Sequence, residues 1–484
     1  MKILIRAVLL SVGLMAGTAS AEVPYQFIAK QYTEVLGRGP DQSGWAYYAN
    51  RFSASGCSQA MLRQYGREFY QSNEFASRGY NNSEKVAVAY RGILSREPSA
   101  SEVDNWVGQL NTGSPWMTIV DNFFNSPEFG SLVSSICMGR DYKANGGRPA
   151  VLTTTRLQSA LQAQLNAGGV VTLGPQEVVY ITSTLFIPAG ATLRTNAVSG
   201  NHTARFGRLV RDAMFDGPIV ELRGTMDMVW VDGQGGRFTY DIPRITVSAM
   251  QGTIQNSRLS DPSGWTSFHA PEGCTGPVMI TNNLFTGYAN PHYGGGWADG
   301  ISIACRGSTV RYNSVIDATD VGIIVFSRPN SVGWSGTNIV VQNNTIVAAG
   351  RSAYGGLAFD AGHQTGADFT GSYIQDNLLW TSPLQHFDVA LTVGTNPWDW
   401  GMGTNATAIR NNSGSLSATV HLGIVVDGMQ NTTVTGNNFS TVGVNTGIRC
   451  PQNGGVSADV TSGHVSGSIQ SPYMNIQVHN CMYH

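Results

Sequence analysis

Apolar positions divide the chain into two regimes. Between Glu22 and about Tyr142 they recur at intervals of three and four, as in Ile28, Tyr32, Val35 and Leu36, the period that lines one face of an α-helix. Beyond residue 150 the pattern changes to brief β-rich segments that each end in Asn. These run from Ile280 to Asn283, Val310 to Asn313, Val341 to Asn344, Ile374 to Asn377, Ile409 to Asn412 and Val434 to Asn438. Their closing Asn residues stand 30, 31, 33, 35 and 26 residues apart. A second series alternates with the first, at Gly300–Ala304, Gly322–Phe326, Gly356–Asp360, Phe387–Val393, Gly423–Asp427 and Gly447–Cys450. Such strands are too short to fold alone. Stacked as coils at about 4.8 Å, each pairs its backbone with the next and joins its apolar side chains to a common core. The pattern predicts a mainly β chain, a parallel solenoid over 150–484 preceded by a small all-α domain over 22–142. The recurring Asn is read as a corner ladder that serves stability, because Asn tolerates left-handed turns and its amide bonds the amide on the next coil.

Both regions carry further marks. In the first, Tyr32, Leu36, Arg38 and Pro40 recur as Tyr90, Leu94, Arg96 and Pro98 at an offset of 58, and Phe69, Ser72, Glu74 and Phe75 as Phe123, Ser126, Glu128 and Phe129 at 54. This duplication resembles the short helical repeats of unassigned function, related to phycobilisome linker domains, found in bacterial secreted and surface proteins. The resemblance implies an interaction or anchoring module, with attachment to a cell surface or matrix as its role. Residues 143–149 read as a linker, since Gly and Pro break helix and strand alike. The second region opens on a helix from Arg156 to Asn166, with Leu157, Leu161 and Leu165 on one face, Thr155 as its cap and Gly168-Gly169 as its end. Strands at Val170–Leu173 and Tyr180–Ile187, the turn Pro188-Ala189-Gly190 and the run Val229–Gly233 follow. This opening is similar to the entry of right-handed parallel β-helix proteins of the pectate-lyase-like superfamily, which includes polysaccharide lyases and polygalacturonases. Polysaccharide is the partner that resemblance implies.

Composition narrows the classes. Asp, Glu, Lys and Arg make up only 12% of the chain and apolar residues 42%, which excludes a chain kept unfolded by its charge. Residues 1–21 read as an export signal, with Lys2 and Arg6 ahead of an apolar run and Ala19-Ser20-Ala21 as the cleavage site. Losing those two cations takes the formal charge from −2 to −4, the wrong sign for a nucleic-acid partner. No later apolar run approaches the roughly 18 residues of a membrane span. The expected location is periplasmic or extracellular. Six cysteines in an oxidising compartment predict three local disulfides, Cys57–Cys137, Cys274–Cys305 and Cys450–Cys481, and no closely spaced pair suits a metal. Lys143 is the last lysine, whereas all nine histidines follow it.

Reactive side chains concentrate between Pro291 and Asp388. Asp299 and Asp320 each precede a Gly-Ile strand start and lie 21 residues apart, about one coil, so they are the leading acid/base pair for glycoside hydrolysis. Asp360 and Asp388 are further carboxylates of the same strand series. The Asp-Gly-Ile and Asp-x-Gly-Ile order resembles the polygalacturonases, whose catalytic aspartates occupy consecutive coils; Asp299 matches the first and Asp320 one of the following pair. The chain departs from that pattern at Val321, where the adjacent aspartate would stand, in lacking the Gly-His-Gly, and in having no lysine for the Arg-Ile-Lys. Polysaccharide lyase chemistry is the alternative, with Arg328 or Arg351 neutralising a uronate and His363, His386 or Tyr354 acting as base. A further alternative gives Asp299, Asp317 and Asp320 to Ca2+ as oxygen ligands. Tyr293, Trp297, Trp334, Tyr354, Trp380, Trp398 and Trp400 are candidate platforms for sugar rings, with Arg328, His386 and Asp388 as polar contacts. The third reading is a non-catalytic polysaccharide binder or adhesin. Polysaccharide cleavage ranks first because Asp, His, Arg and Trp gather on four coils instead of spreading along a rod.

Overall fold

A computed structural model describes residues 23–140, 149–196, 203–288, 296–327, 336–361, 365–394, 402–427, 429–439, 441–442, 445–448 and 457–458. The expected signal segment, the Cys450–Cys481 pairing and most of the linker lie outside the described residues.

From Gly169 onward the chain winds as a parallel β-solenoid. Three long sheets form from strands that recur once per coil, eleven in the first, eight in the second and eleven in the third, all pairs parallel. The first sheet alternates cleanly, as at Thr309–Arg311 and Val340–Gln342, where only the middle residue is buried. The second is buried on both faces, as at Val229–Asp232 and Arg258–Ser260. Inward side chains of all three, such as Ile280, Val315, Ile301 and Leu357, merge into one continuous core. The entry helix spans Gln158–Asn166 and inserts Leu161 and Leu165 into the end of that core. Leu157 instead stays exposed, and the cap expected of Thr155 is absent because its hydroxyl donates to the Val178 carbonyl at 2.8 Å.

The Asn ladder is buried and continuous, with one correction. Asn283, Asn313, Asn344 and Asn377 each donate from Nδ2 to the next Asn Oδ1 at 2.8–2.9 Å, but the ladder continues through Asn411 and Asn437, not Asn412 and Asn438. The left-handed residue of each corner is the one before the ladder Asn: Asn282, Tyr312, Asn343, Asp376, Arg410 and Gly436 have φ between 54° and 64°. Asn occupies the ladder for its two-sided amide, which also accepts the backbone N–H of the previous Asn, as Asn344 does from Asn313 at 3.0 Å.

The helical domain is the expected duplication. Helix Tyr25–Lys30 runs on as a π-helical turn Gln31–Leu36, and Asn82–Ala89 runs on as Tyr90–Leu94; each ends on a left-handed residue, Gly37 or Ser95. The repeated Arg then bonds the repeated Glu, Arg38 to Glu74 at 2.7 Å and Arg96 to Glu128 at 2.6 Å, while Ser72 and Ser126 cap the helices that carry those glutamates. Cys57–Cys137 braces this domain and Cys274–Cys305 the solenoid, as the sequence predicts.

This domain packs on the second sheet. Leu284, Ile316, Val347 and Trp380 of the solenoid share a core with Phe27, Ile28 and Val35. Ion pairs flank that core, Arg258–Glu34 at 2.5 Å, Arg208–Glu97 at 2.8 Å and Arg205–Glu84 at 3.1 Å, with Arg208 and Arg258 lying 3.8 and 4.0 Å from the Trp230 ring centre. That cover explains why the second sheet is buried on both faces. The third sheet holds the candidate chemistry.

Candidate functional site

The strands Thr266–Ala270, Asp299–Ile303, Val321–Phe326, Ala353–Asp360 and Phe387–Gly394 lie side by side in the third sheet. Ile301 pairs with Ile323 and Leu357 with Leu391, so these positions point into the core on consecutive coils. The residue before each, Gly300, Gly322 and Gly356, points inward too. A Cβ on Gly300 would fall 2.6 Å from Val315 Cγ1 and 2.4 Å from the Gly322 oxygen, and one on Gly356 would fall 2.2 Å from Leu379. The Gly of each Gly-Ile is therefore demanded by packing, and two successive inward residues leave Asp299 outside the core.

Asp299 is fixed from two sides. Its Oδ1 accepts the Val321 N–H at 2.9 Å from the next coil, and its Oδ2 accepts the Ser302 hydroxyl at 2.7 Å, which lies 2.8 Å from the Thr266 hydroxyl. The residue is only 3% exposed. Burial, and after it the neighbouring negative charge of Asp320, push its carboxyl well above the usual range; the two hydrogen bonds do not reverse that, and Asp360 adds a weaker push in the same direction. Asp299 is thus the buried member of the pair, whose surroundings oppose its ionisation. Register sets Asp299 level with Val321, so a strict strand would turn Asp320 to the opposite face. Asp320 acts on Asp299 nonetheless: it precedes its strand in a turn whose Thr319 and Asp320 N–H groups both donate to the Ala298 carbonyl, at 3.1 and 3.2 Å, next to Asp299 in the chain.

Further residues surround the pair. Counting back from Val321–Gly355 and Gly355–Val389, Asp320, Tyr354 and Asp388 occupy one level on three consecutive coils. Tyr354 has its phenol raised by burial, then by Asp388 and Asp320, and its ring stacks on Trp297 at 5.4 Å. Asp388 is fully buried and pairs with His386 Nε2 at 3.2 Å, while His386 Nδ1 lies 3.1 Å from the Ser352 hydroxyl. Asp360 closes its strand at the other end of the face, level with Phe326.

Several expectations change. Asp317 does not join Asp299 and Asp320 as a calcium ligand: its Oδ1 accepts the N–H groups of Ala349, Gly350 and Arg351 at 2.6, 2.9 and 3.2 Å, and it lines a small cavity with Gln26, Lys30 and Thr33 of the helical domain. Among the described residues no group of three or more His, Cys, Asp or Glu is arranged to hold a metal. Calcium therefore does not fit the residues proposed for it. Arg351 lies beside Asp317, whose charge it offsets. Trp380 is 1% exposed and sets its ring edge-on to Trp45 of the helical domain at 6.4 Å, so it is no sugar platform. Tyr293, Arg328, Trp334, His363, Trp398 and Trp400 lie outside the described residues.

The structure also adds residues that sequence reasoning missed. Tyr240 has its phenol pushed up to about 12 by burial and by Asp320 and Asp299, and its ring packs where a Cβ on Gly296 would stand, 2.9 Å from Cγ. Its segment, 233–246, separates two strands that elsewhere are joined by as few as four residues, as between Ile316 and Val321. That excess length was a legible signal. His269 is the other addition, edge-on to Trp265 at 4.9 Å and stacked on Phe326 at 5.9 Å.

The family described as a domain of unknown function, DUF4214, matches residues 67–133, within the helical domain. No curated protein matches the sequence. Among solved structures, the tailspike protein of E. coli bacteriophage HK620 in complex with a pentasaccharide is 13% identical over 64% of this chain and 59% of its own, with a TM-score of 0.43. The GH87 α-1,3-glucanase catalytic unit of Streptomyces thermodiastaticus strain HF3-3 is 14% identical over 64% and 66%, with a TM-score of 0.40. The endo-xylogalacturonan hydrolase of Aspergillus tubingensis is 13% identical over 63% and 90%, with a TM-score of 0.36. This chain spans less than two thirds of the tailspike and of the glucanase unit.

Proposed function

We propose that the protein is an exported polysaccharide-cleaving enzyme, a glycoside hydrolase whose reaction centre is the Asp299–Asp320 pair. The observation that carries this reading is the asymmetry of the pair: two carboxylates on adjacent coils, one buried where its ionisation is opposed, the other half-buried at the mouth of a turn. Glycoside hydrolysis needs that division, a protonated carboxyl for the leaving oxygen and an ionised one facing the anomeric carbon. Asp299 gives its proton to the glycosidic oxygen as the bond to the anomeric carbon breaks. Asp320 supplies the negative charge at that carbon, to which water is finally added. Trp297 and Tyr354 form the aromatic surface beside the pair, and Asp388, with His386 Nε2 3.2 Å away, borders it. The exposed faces of the helical domain are left for attachment to a surface, since one side is taken by the solenoid.

The competing β-elimination needs a cation opposite its base. Incubating the protein with a polysaccharide panel while following reducing ends and ultraviolet absorbance separates the readings. Hydrolysis raises reducing ends alone. A parallel rise in absorbance would make the protein a lyase, and retention on the polymer with neither change would make it a binder.

A further inference from the structure

One corner of the solenoid contains Asp320 and meets the helical domain. Asp317 and Asp320 are the ends of a single four-residue connection, between the strands Ser314–Ile316 and Val321–Phe326. Asp317 is left-handed, at φ 64°. Counting on from the Phe285–Val315 pairing, Gly287 holds the same level one coil earlier and is left-handed too, so the bend alone does not call for a carboxylate. What the carboxylate does is gather a second connection. Its Oδ1 accepts the N–H groups of Ala349, Gly350 and Arg351, which lead into the strand Ala353–Asp360 and so to Tyr354. The Gly355 N–H in turn donates to the Asp320 carbonyl at 3.0 Å. One buried side chain thus ties the connection that ends in Asp320 to the one that delivers Tyr354 to Trp297.

The helical domain presses on that second connection. A Cβ on Gly350 would fall 2.5 Å from Gln26 Cδ and Nε2, so any side chain there would displace the buried Gln26 amide on helix Tyr25–Lys30. Ala349 and Ile316 belong to the core shared with Phe27 and Ile28. Gln26, Lys30 and Thr33 line with Asp317 a cavity of only about 30 Å³, which leaves little slack between the two domains. The turn Ala349–Arg351 is therefore clasped between a carboxylate of the coil before it and a helix of the other domain.

Resting on the hydrolase reading, we propose that Asp317 is a positioning residue of the reaction centre: it holds the connections that carry Asp320 and Tyr354 against helix Tyr25–Lys30, and the helical domain thereby sets the geometry of the site. Asp317 acts through the placement of Asp320 and not on the substrate. A displacement of about 1 Å in a reacting group is enough to cost about 10²-fold in rate.

The test uses the full-length protein and a polysaccharide that it cleaves. Asp317→Ala removes the acceptor of three N–H groups and should lower kcat by about 10- to 100-fold while KM moves by less than about twofold, the signature of a misplaced reacting group. Asp317→Asn keeps an acceptor oxygen and should restore most of the loss, and Gln26→Ala, in the other domain, should lower kcat in the same sense. Asn411→Ala, in the buried ladder between the first and second sheets, controls for general loosening and should leave kcat unchanged while the protein is folded. A kcat for Asp317→Ala within about twofold of the unaltered protein, or an equal loss in Asn411→Ala, would overturn the positioning role and leave the hydrolase reading intact. Hydrogen exchange at the Val321 and Gly355 amides, which donate to Asp299 and Asp320, reads the same placement without a substrate. Both should exchange at least about tenfold faster in Asp317→Ala and return toward the unaltered rate in Asp317→Asn. Unchanged exchange would sink the proposal even where turnover falls. Faster exchange in a protein that cleaves no polysaccharide of the panel would sink the hydrolase reading and keep the coupling of the helical domain to this corner. Should Asp317→Ala not fold, Gln26→Ala is read in its place by the same criteria.

Discussion

Asp299 and Asp317 are both buried carboxyls with raised pKa values, yet they have opposite uses. Asp317 gives all of Oδ1 to three backbone N–H groups, and burial still lifts it from 3.8 to about 6. A group raised in this way contributes stability below its unfolded value, which is lost as pH rises through the folded one. The fold should therefore lose roughly 3 kcal/mol as pH rises from about 4 to about 6, at about 1.4 kcal/mol for each pH unit in that interval. Asp317→Asn keeps an oxygen for the three donors and should flatten that slope in denaturation curves; an unchanged slope would assign the titration elsewhere. Asp299 has a catalytic consequence. Because its proton is needed, activity should fall on the alkaline side through a pKa displaced above ordinary carboxylates, and on the acid side as Asp320 is neutralised. A pH profile with no alkaline limb in that region would remove Asp299 from the acid role. The sequence made Asp299 and Asp320 conspicuous through their Gly-Ile neighbours, but the Gly proved to be a packing requirement. That Asp317 faces the helical domain was not legible, because a contact between distant segments leaves no local period.

At the level of elements, coil repeats and the Asn series were legible because a stacked solenoid demands the same residue type at the same corner every turn. The error at Asn412 and Asn438 has a plain cause: Asn411-Asn412 and Asn437-Asn438 are doublets, and only the position after the left-handed residue reaches the core. Asn344 is fully buried, donates to the Asn377 side chain and the Val310 carbonyl, and accepts from Asn313. Replacing it by Ala leaves several buried groups unpaired and should cost about 3–5 kcal/mol, at about 1–3 per group. Asn412→Ala, outside the ladder, should cost far less. Equal losses in chemical denaturation would show that the ladder does not hold the corner.

For the whole molecule, the helical domain is part of the fold. The ion pairs around Trp230 bind its first and second repeats to three consecutive coils. Glu34 illustrates the strength of that seam: burial alone would raise it, but Arg258, with Arg91 and Lys30, brings it to about 2. A lowered pKa contributes stability above the unfolded value of 4.5 that is lost as pH falls through about 2. Arg258→Met should destabilise the protein by about 3–5 kcal/mol, since it leaves a buried carboxylate unpaired. The two domains should unfold in one calorimetric transition, and two well-separated transitions would show that they are independent. A repeat that reads as a detachable anchor from its own pattern is thus one wall of the molecule, something a single domain's periodicity does not reveal.

The most direct measurement compares turnover of a cleaved polysaccharide by the unaltered protein, Asp299→Asn and Asp320→Asn, with thermal midpoints recorded alongside. An Asn at 299 retains the acceptor for Val321 and lets Ser302 accept from its amide, so the fold should persist. With the pair as reaction centre, each substitution lowers kcat by about 10²-fold or more, in keeping with loss of acid/base assistance, while the midpoint moves little. Turnover within a factor of two of the unaltered protein in either variant would contradict that assignment.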